Sequence, residues 1–158
     1  LLNFITRLLM TWGFWEGRLL ILYLIAVVKI TDIGAYFIGC SFGRHKLIPR
    51  ISPAKTWEGV VGGVLSGVLA SYLFYLGFHG QFCSLAMSAA DAILLGVLLA
   101  LFGVAGDLTE SLFKRAAGVK DSGRMIMGMG GILDVLDSLL FAAPALYIYA
   151  HFFFRVVQ

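Results

Sequence analysis

Acidic side chains gather in the last third of the sequence, in a pattern that can hold a metal ion. Asp134 and Asp137 open a long apolar stretch, and their spacing of three residues places both carboxylates on one face of a helix. Two carboxylates at close range repel each other, and a cation between them relieves the repulsion. Because all of these ligands are oxygen atoms, the pattern favours Mg²⁺ or a similar hard cation. An alternative stays open, in which the two acids only stabilise a helix N-terminus.

A second polar cluster precedes this acidic pair. Its members are Asp107, Glu110, Ser111, Lys114, Lys120 and Asp121. The first four follow one another at helical spacing and would share one helix face. Glycines then lead into the acidic pair, and such backbone can cradle phosphate. Carboxylates that hold a metal, beside lysines that neutralise phosphate oxygens, suit phosphoryl or nucleotidyl transfer. A solvated charged loop is the alternative interpretation.

The elements that must position these residues are membrane helices. The chain is 60% hydrophobic and 13% charged, with a mean hydropathy of +0.93, whereas soluble domains are about 25% charged. Four apolar stretches approach the length of about 20 residues that a membrane helix needs. They run roughly over residues 19–42, 59–78, 89–106 and 132–154. We therefore predict an all-α fold.

In detail, the prediction is a polytopic transmembrane helix bundle with about four spans plus part of an earlier one. Broken or re-entrant helices are expected at its cytosolic side. We expect one membrane domain over residues 1–158. Because the first residue is Leu1 and not Met, we also expect a C-terminal fragment of a longer chain.

The distribution of basic residues predicts the orientation in the membrane. Residues 43–58 and residues 107–131 each contain four Lys or Arg, whereas residues 79–88 contain none. Cytoplasmic loops carry an excess of Lys and Arg, so both basic segments should face the cytoplasm. An active site among them would face the same way. The net charge of +3 is too small to indicate nucleic acid, and no nucleic-acid partner is expected.

Two further patterns lie inside the apolar stretches. Lys29 and Asp32 are three residues apart on a helix and can pair, which matters because a charge inside a span costs about 2.5 kcal/mol or more. Between residues 59 and 70, Gly, Ser and Ala recur at helical spacing. Such a stripe of small residues lets another helix approach closely.

Three segments of the sequence together resemble a known family. They are TDIGAYFIG at 31–39, SPAKTWEG at 52–59, and SLFKRAAGVKDSG at 111–123 followed by GGILDVLDS at 130–138. They occur in the same order as the signature segments of the phosphatidate cytidylyltransferases, which are also called CDP-diacylglycerol synthases. The resemblance covers a motif-bearing region of roughly residues 25–150.

The resemblance implies a membrane enzyme that condenses CTP with phosphatidic acid to give CDP-diacylglycerol and pyrophosphate. It implies Mg²⁺ as cofactor, with a second cation left open, and the lipid bilayer as surroundings. The implied metal ligands are Asp107, Asp134 and Asp137. Residues implied to act on the phosphates are Lys114, Arg115, Lys120 and Asp121. Residues implied to bind substrate are Asp32, Ser52, Lys55, Thr56, Trp57, Glu58, Ser111, Gly130 and Gly131.

The sequence departs from the family pattern at two positions, and alternatives follow from this. Met129 stands where the family usually has His, and Val135 stands where it usually has Arg. An inactive or divergent relative is therefore an alternative, as is a transporter or channel that uses intramembrane acids. A CDP-alcohol phosphotransferase fits less well, because its last acids are spaced by four and not by three. A homodimer is left open.

Overall fold

Long apolar segments of the sequence form long helices, and short polar segments join them. The computed structural model describes residues 2–12, 14–49, 51–79, 81–82, 85–116 and 132–156. The described helices are α1 Leu2–Thr11, α2 Phe14–Phe42, α3 Trp57–Gly77, α4 Ala89–Ala116 and α5 Ile132–Phe153. The described strands are β1 Lys46–Ile48, β2 Ser52–Thr56, β3 Gln81–Phe82, β4 Leu85–Ala86 and β5 Arg155–Val156.

The predicted membrane helix bundle is confirmed. Among the described residues, three helices are long and apolar enough to cross a membrane, over Trp15–Phe42, Trp57–Gly77 and Ala89–Ala116. Helix α5 is 22 residues long and equally apolar in its sequence, but the side chains of its first residues lie outside the described set. The prediction of about four spans therefore stays a prediction, as does the single domain.

One helix is longer than its predicted span. The apolar stretch of the third span ends near residue 106, and the spacing of the polar cluster after it predicted a shared helix face. Helix α4 continues through the charged residues to Ala116, so the shared helix face is confirmed and the solvated loop is not formed there. The reason is that this segment is also a good helix former, and its Lys114 side chain pairs with Glu110 one turn earlier, with 3.1 Å between Nζ and Oε1. The polar cluster therefore stands on a helix that extends the apolar span. The expectation of broken or re-entrant helices stays a prediction, and residues 117–131 lie outside the described residues.

Helix α3 has one face of small residues and one face of large apolar residues. The predicted small-residue stripe is confirmed, since Gly59, Gly63 and Gly67 are buried against α2 and α4. A Cβ atom at Gly63 would lie 2.9 Å from the Cβ of Ala35 and 3.0 Å from a backbone oxygen of α2. The opposite face carries exposed leucines and valine at one-turn intervals. They are Val61, Leu65, Leu69 and Leu73, each more than half exposed. Such an apolar outer face suits a lipid environment.

Side-chain caps determine where helices α3 and α4 begin. Thr56 ends β2, and its Oγ1 accepts a hydrogen bond from the backbone N of Gly59 at 3.1 Å. At the start of α4, the N–H of Ser88 donates to Asp91 Oδ2 at 2.8 Å and the N–H of Asp91 donates to Ser88 Oγ at 3.1 Å. These reciprocal bonds form a capping box. The first cap directly joins the β1–β2 hairpin to α3.

The two sheets lie at opposite ends of the bundle. Strands β1 and β2 form an antiparallel hairpin between α2 and α3. Strand β4 pairs antiparallel with both β3 and β5, which joins the segment before α4 to the segment after α5. Helices α2, α4 and α5 contribute most of the buried core between these ends. The functional side chains described below all lie toward the hairpin end.

Candidate active site

Three carboxylates from two helices meet at the hairpin end of the bundle. Asp107 and Glu110 project from α4, and Asp137 projects from α5. One carboxylate oxygen from each lies within 4.8 Å of those of the other two, and Glu110 and Asp137 are only 8% and 6% exposed. We call these three residues the acid triad. Buried acids at this spacing repel each other unless a cation or protons compensate their charge. The acid triad can therefore bind a metal ion.

The hydrogen bonds of Asp137 fit a cation ligand. Its Oδ1 accepts a hydrogen bond from the backbone N–H of Ser138 at 2.5 Å. Its Oδ2 is buried and has no hydrogen-bond partner among the described residues. A buried carboxylate oxygen without a partner is costly, and a metal ion would satisfy it. The residues present therefore fit a hard cation held by oxygen ligands.

A close contact between α4 and α5 brings the triad together. Gly106 directly precedes Asp107, and a Cβ atom at this glycine would lie 2.7 Å from the backbone O of Asp137 and 3.1 Å from the Cα of Ser138. Gly103, one turn earlier, is also buried in this contact. Two small residues one turn apart thus let the α5 backbone lie directly against α4. The separation of the carboxylates follows from this packing.

The β1–β2 hairpin supplies a lysine to the same site. Lys55 Nζ lies 2.5 Å from Asp107 Oδ2, and the side chains are 22% and 42% exposed. The contact is an ion pair between the ammonium and the carboxylate. Arg115 Nε donates to the backbone O of Ile51 at 3.4 Å, which joins the end of α4 to the hairpin. The hairpin therefore lies across the end of α4 that bears the acid triad.

A cavity of about 320 Å³ opens beside this ion pair. It lies between α2, α3, α4 and β2, and its walls are mostly apolar. Its polar lining comes from Asp32, Tyr36, Lys55, Thr56 and Asp107. Charged groups in the wall of an otherwise apolar cavity suit a ligand that has a charged group and an apolar body.

The structure brings many of the sequence-predicted residues together. Two of them, Asp107 and Asp137, belong to the acid triad. The cavity wall contains Asp107 together with Asp32, Lys55 and Thr56. Lys114 is one helical turn beyond the triad, with its Nζ on Glu110. The predicted pairing of Lys29 with Asp32 is also present, with 3.2 Å between Nζ and Oδ2.

Other predicted residues lie apart from this centre. Trp57 and Glu58 line a separate surface groove, and Trp57 is 57% exposed. Glu58 Oε1 lies 2.6 Å from Nδ1 of His45, so it closes the base of the hairpin. The hydroxyl of Ser111 donates to the backbone O of Asp107 at 2.9 Å, within its own helix. Ser52 begins β2, opposite Ile48.

Several predicted residues cannot be placed. Lys120, Asp121, Gly130 and Gly131 lie outside the described residues, and so does the side chain of Asp134. Asp134 as a metal ligand therefore stays a prediction. The acid triad contains one residue that the sequence-based ligand set did not include, Glu110, which stood on the same predicted helix face as Asp107. That shared face was the signal, but spacing alone gave no reason to prefer Glu110 to Asp134.

Comparison with known proteins gives a consistent result. The model of the cytidylyltransferase family matches residues 2–153. A phosphatidate cytidylyltransferase from Haemophilus influenzae is 41% identical over 143 residues, which are 90% of this chain and 48% of that protein. A phosphatidate cytidylyltransferase from Staphylococcus epidermidis is 46% identical over 133 residues, which are 84% of this chain and 49% of that protein. The chain thus spans about half the length of the curated relatives it matches.

A solved structure shares the fold. It is an intramembrane enzyme for archaeal membrane lipid biosynthesis, with a TM-score of 0.51 and 23% sequence identity. The match covers 77% of this chain and 74% of the other. At this identity the likeness establishes the fold alone, and it agrees with a bundle of membrane helices.

Proposed function

The chain belongs to the cytidylyltransferase family, and we propose that its protein condenses CTP with phosphatidic acid to give CDP-diacylglycerol and pyrophosphate. The observation that carries the proposal is the acid triad with lysines on two sides. Lys55 approaches Asp107 from the hairpin, and Lys114 approaches Glu110 along α4. Carboxylates and lysines interleaved in this way suit a ligand that carries both phosphates and a bound cation.

The charges of the described centre favour a divalent cation. Three carboxylates face two lysines, which leaves one formal negative charge. Mg²⁺ would be held by Asp107, Glu110 and Asp137. The sequence predicts Asp134 as a further ligand, and a second cation is left open. When bound, Mg²⁺ would neutralise phosphate charge and orient the phosphate oxygens.

The protein's own groups would mainly position the substrates and stabilise charge. An oxygen of the lipid phosphate attacks the α-phosphorus of CTP, and the bond from that phosphorus to the β-phosphate oxygen breaks as pyrophosphate leaves. Lys55 and Lys114 would each act as a point charge on phosphate oxygens. Arg115, Lys120 and Asp121 would complete the phosphate contacts. The reaction needs no covalent intermediate on the protein.

The apolar cavity beside Lys55 would accept the lipid. The phosphate of phosphatidic acid can approach Lys55 and Asp107, while its glycerol and acyl carbons contact the apolar walls. The basic segments 43–58 and 107–131 hold eight of the twelve Lys and Arg residues, which favours a cytoplasmic orientation for this end. A soluble nucleotide and a membrane lipid could then meet at one surface.

The test is an assay for Mg²⁺-dependent formation of CDP-diacylglycerol from CTP and phosphatidic acid. The protein is expressed from the complete reading frame and purified. Its activity is then measured in micelles that contain phosphatidic acid. Asp137→Asn should lower kcat about a hundredfold or more, because it removes a charge where the reacting phosphates are stabilised. Asp91→Asn, the same change at the far end of α4, should stay within about threefold of wild type. Wild-type protein without turnover would identify an inactive relative, and an active Asp137→Asn variant would contradict the proposed site.

A further inference from the structure

Lys29 is a half-buried cation inside an apolar helix, and the proposed reaction does not use it directly. It lies in α2, within the span Trp15–Phe42, and its side chain is 34% exposed. A cation at this depth costs several kcal/mol unless partners satisfy it. One partner, the neighbouring Asp32, would already neutralise its charge.

The ammonium group of Lys29 also reaches another helix. Its Nζ donates to Asp32 Oδ2 at 3.2 Å and to Ser138 Oγ at 3.4 Å. Ser138 is only 1% exposed and lies in α5, directly after the triad residue Asp137. The contact is long for a hydrogen bond, but both groups are held by packed helices. A pair that only neutralised itself would not require this second contact.

The contact continues into the acid triad. The backbone N–H of Ser138 donates to Asp137 Oδ1, and a carboxylate oxygen of Asp137 lies within 4.8 Å of those of Asp107 and Glu110. On its other side, Asp32 lines the cavity together with Lys55 and Asp107. Lys29 thus joins the cavity wall on α2 to Ser138 on α5, whose backbone N–H holds Asp137.

We propose that Lys29 is a positioning residue that fixes Asp137 and Asp32 in the arrangement the metal and phosphate site needs. It acts through Ser138 on α5 and through the ion pair on α2, and it does not touch substrate. Its role is to hold the separation and rotation of α5 relative to α2. The kinetic part of this proposal rests on the proposed function, whereas the metal-binding part does not.

The sign of the effect on cation binding separates positioning from simple electrostatics. Removing the positive charge of Lys29 makes the site more negative, so electrostatics alone would tighten cation binding. Loss of the geometry would weaken it instead. We expect Lys29→Met to weaken the binding of Mn²⁺ at least threefold, measured by electron paramagnetic resonance on purified protein without nucleotide.

Two further single variants, a double variant and the kinetics of Lys29→Met complete the experiment. Lys29→Arg keeps the charge and reach, and should restore Mn²⁺ affinity and kcat to within about fivefold of wild type. Lys29→Met should lower kcat at least tenfold while KM for CTP changes less than threefold. Ser138→Ala removes only the α5 contact and should weaken Mn²⁺ binding in the same direction. Combining it with Lys29→Met should give less than the sum of the two effects.

The proposal is overturned if Lys29→Met binds Mn²⁺ as tightly as wild type or more tightly. If Lys29→Met does not fold, Ser138→Ala decides alone, and unchanged Mn²⁺ affinity and kcat in that variant reject the role. Failure of the wild-type protein to make CDP-diacylglycerol would reject the proposed function but leave the Mn²⁺ comparison valid.

Discussion

Glu110 allows the sharpest test of the acid triad, because it is the proposed ligand that spacing alone did not select. We expect Glu110→Gln to raise the Mg²⁺ concentration required for half-maximal activity at least tenfold. The change is isosteric and removes one charge from a side chain that is 8% exposed. It leaves the helix and the packing of α4 against α5 in place.

The magnitude follows from the geometry of the three carboxylates. Oxygens within 4.8 Å of one another share a point about 2.8 Å from each of them, so small side-chain movements reach the Mg–O distance of about 2.0–2.1 Å. Two unit charges 4 Å apart interact by about 4 kcal/mol at an effective dielectric constant of 20. A divalent cation at shorter range gains more from each carboxylate.

Two opposing effects reduce this gain. Burying the carboxylate of Glu110 itself costs several kcal/mol. The Lys114 ammonium, 3.1 Å from Glu110, already compensates part of the charge of that carboxylate before a cation binds. We therefore set the lower limit of the net loss at about 1.4 kcal/mol, which corresponds to tenfold in affinity.

The assay measures activity and Mn²⁺ binding across a metal titration in the same preparation. Glu16→Gln, the same chemical change in the first turn of α2, is the matched control and should shift neither curve by more than twofold. If Glu110→Gln has the metal dependence of wild type, Glu110 is not a ligand, and the metal centre must be built from Asp107, Asp137 and residues outside the described set.

Two further predictions concern the hairpin and the helix contact. Lys55→Met should lower kcat/KM at least tenfold because it removes the cation beside Asp107. Lys46→Met, at an exposed position of strand β1, should change kcat/KM less than twofold, and equal kinetics in the two variants would remove the hairpin from the site. Gly63→Ala should destabilise the protein by about 1–3 kcal/mol through overpacking against Ala35, measured by thermal unfolding in detergent. Gly77→Ala meets no atom within 4 Å and should not destabilise, so equal unfolding temperatures would reject the close packing of α2 on α3.

The sequence predicted the helices well because their signal is local. A run of apolar residues long enough to span a bilayer has few alternatives to a helix, since every backbone polar group must be satisfied. The pairing of Lys29 with Asp32 and the small-residue stripe of α3 were predicted for the same reason, because helical spacing alone determines both. The end of α4 was predicted less well, because hydropathy marks where a segment leaves the membrane and not where its helix stops.

The site was predictable as a set of residues but not as an arrangement. Spacing placed Asp134 and Asp137 on one face of α5, and it placed Asp107 and Glu110 on one face of α4. Which members of the two faces meet depends on the rotation of the helices about their axes, and that rotation is decided by packing. The contact of Lys55 with Asp107 likewise depends on how the hairpin folds back, which no local pattern states.

At Gly106, the contact that packs α5 against α4 also sets the distance between two carboxylates of the acid triad. This residue has room for no side chain, because the backbone of Asp137 occupies that space. The glycine that lets α5 approach is adjacent in sequence to Asp107, and the backbone that fills the gap belongs to Asp137. Any shift of α5 that relieved crowding there would therefore also separate the two carboxylates. The close helix contact fixes the triad more tightly than side-chain rotamers alone could, because a rotamer is free to change whereas two packed backbones are not.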